Sequence, residues 1–162
     1  MPNVLFVCTA NQCRSPMAAA LYLRQLNRRN LTLQVDWRVS SAGSWAKEGL
    51  PAIPNAVRVM REMGLHIEQH RSRQVSAELL KPFDLILVMS QHQQEGLRVE
   101  FSHLAERIYL LGEMAGPKYD IPDPAGGKID EVREIAQEMD QLLDRGFARI
   151  LERLGVFFQK TS

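Results

Sequence analysis

The chain opens on a continuous apolar run, Val4-Leu5-Phe6-Val7, that stops abruptly in small and polar residues. A short, branched, unbroken run fits a strand buried on both faces, as in a parallel sheet. A helix is expected directly behind it. Ser15 followed by Pro16 reads as an N-cap with a first-turn proline, and Met17, Ala20, Leu21, Leu23 and Leu26 supply the apolar face. The alternation then recurs: Leu33–Ser40 reads as a second strand, Asn55–Met63 as a helix stopped by Gly64, Asp84–Met89 as a third strand and Arg107–Leu111 as a fourth. Near the end, Val132, Ile135, Ala136, Met139, Leu142, Leu143, Phe147, Ile150, Leu151 and Leu154 step by three and four. This marks one side of a long amphipathic helix, which Gly146 interrupts.

Strands alternating with helices predict an α/β fold: a single three-layer α/β/α domain with a four-stranded parallel sheet, spanning residues 1–157, with 158–162 as a short tail. The ligand site of such a sheet lies beyond the carboxyl ends of its strands, so the loop after the first strand is the first candidate. The longest stretch without periodicity, Gly112–Lys128, is rich in Gly, Pro and Asp, and long loops in compact domains are often functional.

Composition narrows the partners. With 162 residues, 45% of them hydrophobic, the chain can fill one core without staples. Its 20 Lys and Arg nearly cancel its 19 Asp and Glu, so no overall field draws it to nucleic acid or a membrane surface. The N-terminal apolar run is too short for a signal peptide core or a membrane span, which makes a cytoplasmic location the expectation. Cys8 and Cys13 are too few for a disulfide framework or a structural zinc site, and they are expected to be free thiols.

Between the first strand and helix lies Cys8-Thr9-Ala10-Asn11-Gln12-Cys13-Arg14-Ser15. A tight loop here can turn the backbone N–H groups of Thr9 to Arg14 inward, and the helix behind it adds the positive end of its dipole. A dianionic phosphate suits such a cradle. Cys8 ends the strand and points into it, where the donors that bind phosphate also stabilise a thiolate able to attack phosphorus. Arg14 offers a planar fork matched to two phosphoryl oxygens, a geometry that lysine lacks. Ser15 can give its hydroxyl to the Cys8 sulfur, and Asn11 tolerates a positive φ while pinning the loop through its side chain. Taken singly, a strand-end cysteine is more often core packing and a lone arginine a surface charge; the placement between strand and helix favours the functional reading.

The stretch from Val4 to Ala18, with Cys8 to Ser15 at its centre, closely resembles the signature of the low-molecular-weight protein tyrosine phosphatase family. Ser40-Ser41-Ala42-Gly43 with Trp45 nearby, His70 before Arg73-Gln74-Val75, and Asp123-Pro124 before the last helix extend the resemblance over nearly the whole chain. It implies hydrolysis of phosphotyrosine in proteins, and of small aryl phosphates, through a phosphocysteine intermediate, with no metal or organic cofactor. It also implies roles. Cys8 is the nucleophile, Arg14 the phosphate clamp, Ser15 the aid to the leaving thiolate and Asp123 the general acid. Asn11, Ser41 and His70 hold the loop's shape, and Cys13 is a redox partner that forms a reversible disulfide with Cys8. Without the resemblance, Asp120, Asp123 and Asp130 are not distinguishable as acids. The substrate is a phosphorylated protein, and the working unit is expected to be a monomer or weak dimer.

Departures from the family pattern bear on specificity. Ala10 stands where glycine is common and must adopt the backbone angles the loop needs, and Gln12 stands where an aliphatic residue is common. Asp123-Pro124 continues as Ala125-Gly126-Gly127, leaving Trp45 as the main aromatic wall, helped by Tyr119, with Gln12 beside it. Phosphoarginine phosphatases of the same family share Thr9 after the nucleophile and the Gly-Gly pair, so phosphoarginine is the alternative substrate. Arsenate reduction is less favoured because no cysteine follows Cys13, and a non-catalytic phosphate reader needs neither Cys8 nor Asp123. His66 and His70 are four apart, but Gly64 just before them argues against one helix and a shared metal. Nucleotide-binding motifs of the G-x-x-x-x-G-K-[ST] and G-x-G-x-x-G types are absent.

Overall fold

A computed structural model describes residues 1–124 and 126–156; the expected tail at 158–162 lies outside them. Four strands, β1 (Asn3–Cys8), β2 (Arg38–Gly43), β3 (Leu85–Val88) and β4 (Ile108–Leu110), form one all-parallel sheet in the order β2-β1-β3-β4. The helices are α1 (Arg14–Arg28), α2 (Pro54–Glu62), α3 (Ala77–Leu80), α4 (Gln91–Glu100), α5 (Ile129–Arg145) and α6 (Phe147–Arg153).

β1 is central, and its Val4–Val7 run is apolar because both of its faces are covered. Val4 and Phe6 join a core with Met17, Leu21, Val132 and Met139 from α1 and α5. Leu5 and Val7 join a second core with Leu80, Phe83 and Leu97 from the α3 to α4 side. This is the three-layer α/β arrangement the alternation implies. Gly146 separates α5 from α6, and its missing side chain admits Met114: a Cβ there would lie 2.8 Å from the Met114 backbone.

Three elements differ from the sequence expectation. The second strand starts later than Leu33. Leu31–Leu33 is a 3-10 turn, Leu33 is 84% exposed, and the strand runs instead through Ser40-Ser41-Ala42-Gly43, paired residue by residue with Leu5 to Cys8. Small residues of low strand propensity form it because the ladder with β1 outweighs intrinsic preference. Secondly, Ser15 is not the N-cap of α1. Cys13 holds that position without a side-chain cap bond, Arg14 starts the helix, and Pro16 sits within the first turn, where no N–H is needed. Thirdly, α4 was not legible, because only Gln94 and Leu97 of Gln91–Glu100 are buried and no apolar stripe marks it.

Candidate active site

β1 delivers Cys8 to the carboxyl edge of the sheet, and the chain turns at once into α1 through Thr9–Cys13. The loop is built from inside outward: Cys8, Asn11, Cys13, Arg14 and Ser15 are buried, whereas Thr9 and Ala10 form an exposed rim. Among the described residues, no protein acceptor takes the N–H groups of Ala10, Asn11, Gln12 or Cys13. Their donors remain available to an anion lodged at the N-terminus of α1. Ala10 avoids positive φ; the left-handed residue is Asn11, at φ 59. Asparagine tolerates that conformation better than a residue with a bulkier apolar side chain.

Asn11 is the internal brace. Its Nδ2 donates to Ser15 Oγ at 2.8 Å and to Ser41 Oγ at 2.9 Å, while its Oδ1 accepts the Arg73 N–H at 2.9 Å. His70 Nε2 lies 2.6 Å from the Asn11 carbonyl oxygen and donates to it, which sets the tautomer. Burial, chiefly, and the nearby Arg73 and Arg71 charges hold the His70 pKa below its ordinary value, although the Asn11 bond opposes them. The neutral ring therefore does the bracing.

Ser15 Oγ lies 2.9 Å from Cys8 Sγ. Asn11 already donates to this oxygen, so the serine's own hydrogen is left for the sulfur or for the Ala42 carbonyl at 3.4 Å. A thiolate can only accept, and it would draw that hydrogen. Cys13 shares the interior. Burial, reinforced by the Cys8 and Asp123 charges, pushes its thiol up to about 12, so it stays protonated near neutrality. Both cysteines are free.

Arg14 joins the loop to the second segment of the site. Only 6% exposed, it donates from Nη1 to the Ile121 carbonyl at 2.8 Å, and its Nη2 lies 3.4 Å from Thr9 Oγ1 and 3.7 Å from Asp123 Oδ2. The Ile121 N–H in turn donates to Met89 O at 2.9 Å, which ties this segment to the end of β3. Of the three candidate acids, Asp123 is thereby brought to the cradle. Asp120 accepts the Gln91 N–H at the start of α4, and Asp130 pairs with Arg133.

Trp45 is 85% exposed, and its N–H donates to the Thr9 carbonyl at 2.9 Å, so it stands beside the rim. Gly43 makes that approach possible: a Cβ there would lie 2.5 Å from Thr9 O. Gln12 donates its Nε2 to Pro51 O at 2.9 Å. Tyr119 is half-buried against the core, and burial, with the Glu138 carboxylate of α5, pushes its pKa upward. His66 and His70 lie in a loop after α2, and the described residues contain no group of three or more His, Cys, Asp or Glu placed to hold a metal.

Sequence reasoning missed Gln93. Its Oε1 accepts the Met89 N–H, and its Nε2 reaches Thr9 Oγ1 and Ser44 Oγ, each at 3.2 Å. The available signal was Ser90-x-x-Gln93, a capping-box spacing at the start of α4.

Residues 3–154 match the family model for low molecular weight phosphotyrosine protein phosphatases. The chain belongs to this family. It is 33% identical over 152 residues to a protein-arginine-phosphatase of Bacillus subtilis, covering 93% of this chain and 97% of that protein. It is 35% identical over 148 residues to the probable low molecular weight protein-tyrosine-phosphatase EpsP of Ralstonia nicotianae, covering 91% and 95%. Among solved structures, a cysteine-to-serine mutant of the YwlE arginine phosphatase with a phosphorylated active-site serine superposes with a TM-score of 0.84 at 32% identity, covering 93% of this chain and 95% of that one. Members of a family of protein phosphatases are hydrolases, and the four-stranded parallel sheet described above is the fold this phosphatase family shares. Among the described residues, no helix is long and apolar enough to cross a membrane.

Proposed function

We propose that this family member hydrolyses phosphotyrosine in proteins through a phosphocysteine intermediate, acting in the cytoplasm as a monomer or weak dimer. One observation carries the reading: Cys8 Sγ lies 2.9 Å from the Ser15 hydroxyl, in the loop that also holds Arg14, whose guanidinium is 3.7 Å from the Asp123 carboxylate. The residues proposed as nucleophile, clamp and acid come from two segments distant in sequence, which supports the reading.

The phosphoryl group enters the cradle, its oxygens taking the loop N–H groups and the Arg14 fork. The Cys8 thiolate attacks phosphorus, the ester P–O bond breaks, and Asp123 gives its proton to the departing phenolate oxygen. Half-exposed, Asp123 can reach both substrate and water. It then takes a proton from the water that attacks the phosphocysteine, the S–P bond breaks, and Ser15 donates to the leaving sulfur. Inorganic phosphate departs. When a peroxide takes two electrons from the Cys8 thiolate and leaves a sulfenic acid, Cys13 attacks that sulfur, water departs and a reversible disulfide protects the nucleophile; the high Cys13 pKa makes this step slow near neutrality.

A second reading, phosphoarginine, is favoured by Gln12. Pro51 O can only accept, so the Gln12 amide must present Nε2 to it, leaving Oε1 as the remaining polar atom. That acceptor suits a guanidinium N–H and has no use for a phenyl ester. Phosphate release from phosphotyrosine, phosphoserine and phosphoarginine peptides by wild-type and Gln12→Ile proteins decides between them. A phosphotyrosine enzyme keeps its preference in the variant, an arginine enzyme loses it, and no release from any peptide defeats both readings.

A further inference from the structure

Trp45 poses a physical question, because an indole that is 85% exposed cannot be held in place by packing. Its backbone is nevertheless held on every side. Ser44 N–H donates to Cys8 O and Trp45 N–H to Thr9 O, each at 2.9 Å. The side chain of Gln74 spans the two flanking residues: Nε2 donates to Ser44 O at 3.0 Å and Oε1 accepts the Ala46 N–H at 2.6 Å. A flipped carboxamide would lose both bonds, so its orientation is determined. Beyond Ala46, Glu48 Oε1 accepts the Gln74 N–H at 2.8 Å, Ser72 O accepts the Gly49 N–H at 2.9 Å, and Ser72 Oγ accepts the Leu50 N–H at 2.9 Å. Ser72 Oγ also donates to Lys47 O. The whole of 44–50 is strapped to an extended 72–74 segment.

We propose that Gln74 is a positioning residue that presents Trp45 as a rigid face to the leaving group, and so sets specificity for substrates with a flat π surface. This rests on the phosphatase reading but not on the choice of substrate, since a phenyl ring and a guanidinium both stack on an indole. Ordering an exposed loop costs conformational entropy. The strap makes that cost useful when the substrate arrives, because the wall is already in place and little freedom remains to be lost on binding.

The test is Gln74→Leu, which keeps bulk and removes both carboxamide bonds, assayed on p-nitrophenyl phosphate and on acetyl phosphate, which has no ring. KM for the aryl substrate should rise about five-fold, the size of a lost stacking contact, with kcat little changed and acetyl phosphate turnover unaffected. Trp45→Ala should raise the aryl KM at least as far, and the double variant should add nothing beyond Trp45→Ala. In a Trp37→Phe background Trp45 is the remaining tryptophan, and its fluorescence anisotropy should fall in Gln74→Leu without any substrate present. Equal losses on both substrates, additive losses in the double variant or unchanged anisotropy would each overturn the proposal. Wild-type protein that is folded yet hydrolyses neither compound would overturn the phosphatase reading, and the specificity role with it. If Gln74→Leu does not fold, Ser72→Ala loosens the same loop from its other end and is held to the same outcomes.

Discussion

Two segments meet at Arg14 and are held in different ways. The nucleophile loop, Cys8–Ser15, is braced from within by buried side chains: Asn11 alone makes three side-chain bonds, and His70 supports it from behind. The segment that carries Asp123, the proposed acid, is anchored at its flanks. Ile121 is buried and bonded through both its N–H and its carbonyl, Pro124 is buried, and Pro122 and Asp123 between them are exposed. Under the proposed mechanism the difference follows from the work each would do. Phosphate binding needs many donors already aimed at one point, because reorganisation during the reaction would cost rate. A proton donor has to admit substrate, let the alcohol leave and then admit water, so it is fixed in reach but left open on one side.

Variants in the two segments should therefore separate chemistry from stability. Cys8→Ser removes the proposed nucleophile and should lower turnover of p-nitrophenyl phosphate by about 10,000-fold or more, since groups that act as a unit fail together. Asp123→Asn should cost about 100- to 10,000-fold in kcat, more for poorer leaving groups, while the thermal midpoint barely moves. A large loss of stability in Asp123→Asn would contradict its flank-anchored description.

Asn11→Ala attacks the brace. It strands buried groups on Ser15, Ser41 and Arg73 and places alanine at φ 59, and it should cost about 3 kcal/mol in urea unfolding together with most activity. Equal stability in Asn11→Ala and Asp123→Asn would erase the contrast between the segments.

The smallest effect concerns His70. Its folded pKa lies below that of the unfolded chain, so the unfolded state binds the proton first as pH falls. The stability this site contributes is present above the unfolded value of about 6.5 and is lost as pH drops from there towards the folded value. Melting curves between pH 7.5 and 5 should show a decline that His70→Gln flattens. A variant with the same slope as wild type would remove His70 from the brace. A groove of about 320 Å³ behind the cradle, between α1, β2 and the 66–70 loop, reaches both His70 and Ser41, so protons have access to this support from the back.

Much of this was legible along the chain, for physical reasons that can be named. The runs Val4–Val7 and Leu85–Val88 are apolar without interruption because each is covered on both faces, and that alone announces a parallel sheet. Cys8, Arg14 and Ser15 are close in sequence, and a loop between strand and helix can hold few arrangements. What sequence could not decide depends on pairing between distant segments. The strand expected to end at Ser40 continues through Ser41–Gly43 only because β1 lies beside it. Gln74 and Gln93 are ordinary polar residues by composition, and their contacts exist only where β2 and β3 end and α4 begins around Thr9. Local chemistry is written in neighbouring residues, because covalent connection limits their geometry. Which side chain braces, clamps or walls the site was decided by contacts across the fold, whose partners no short window of sequence contains.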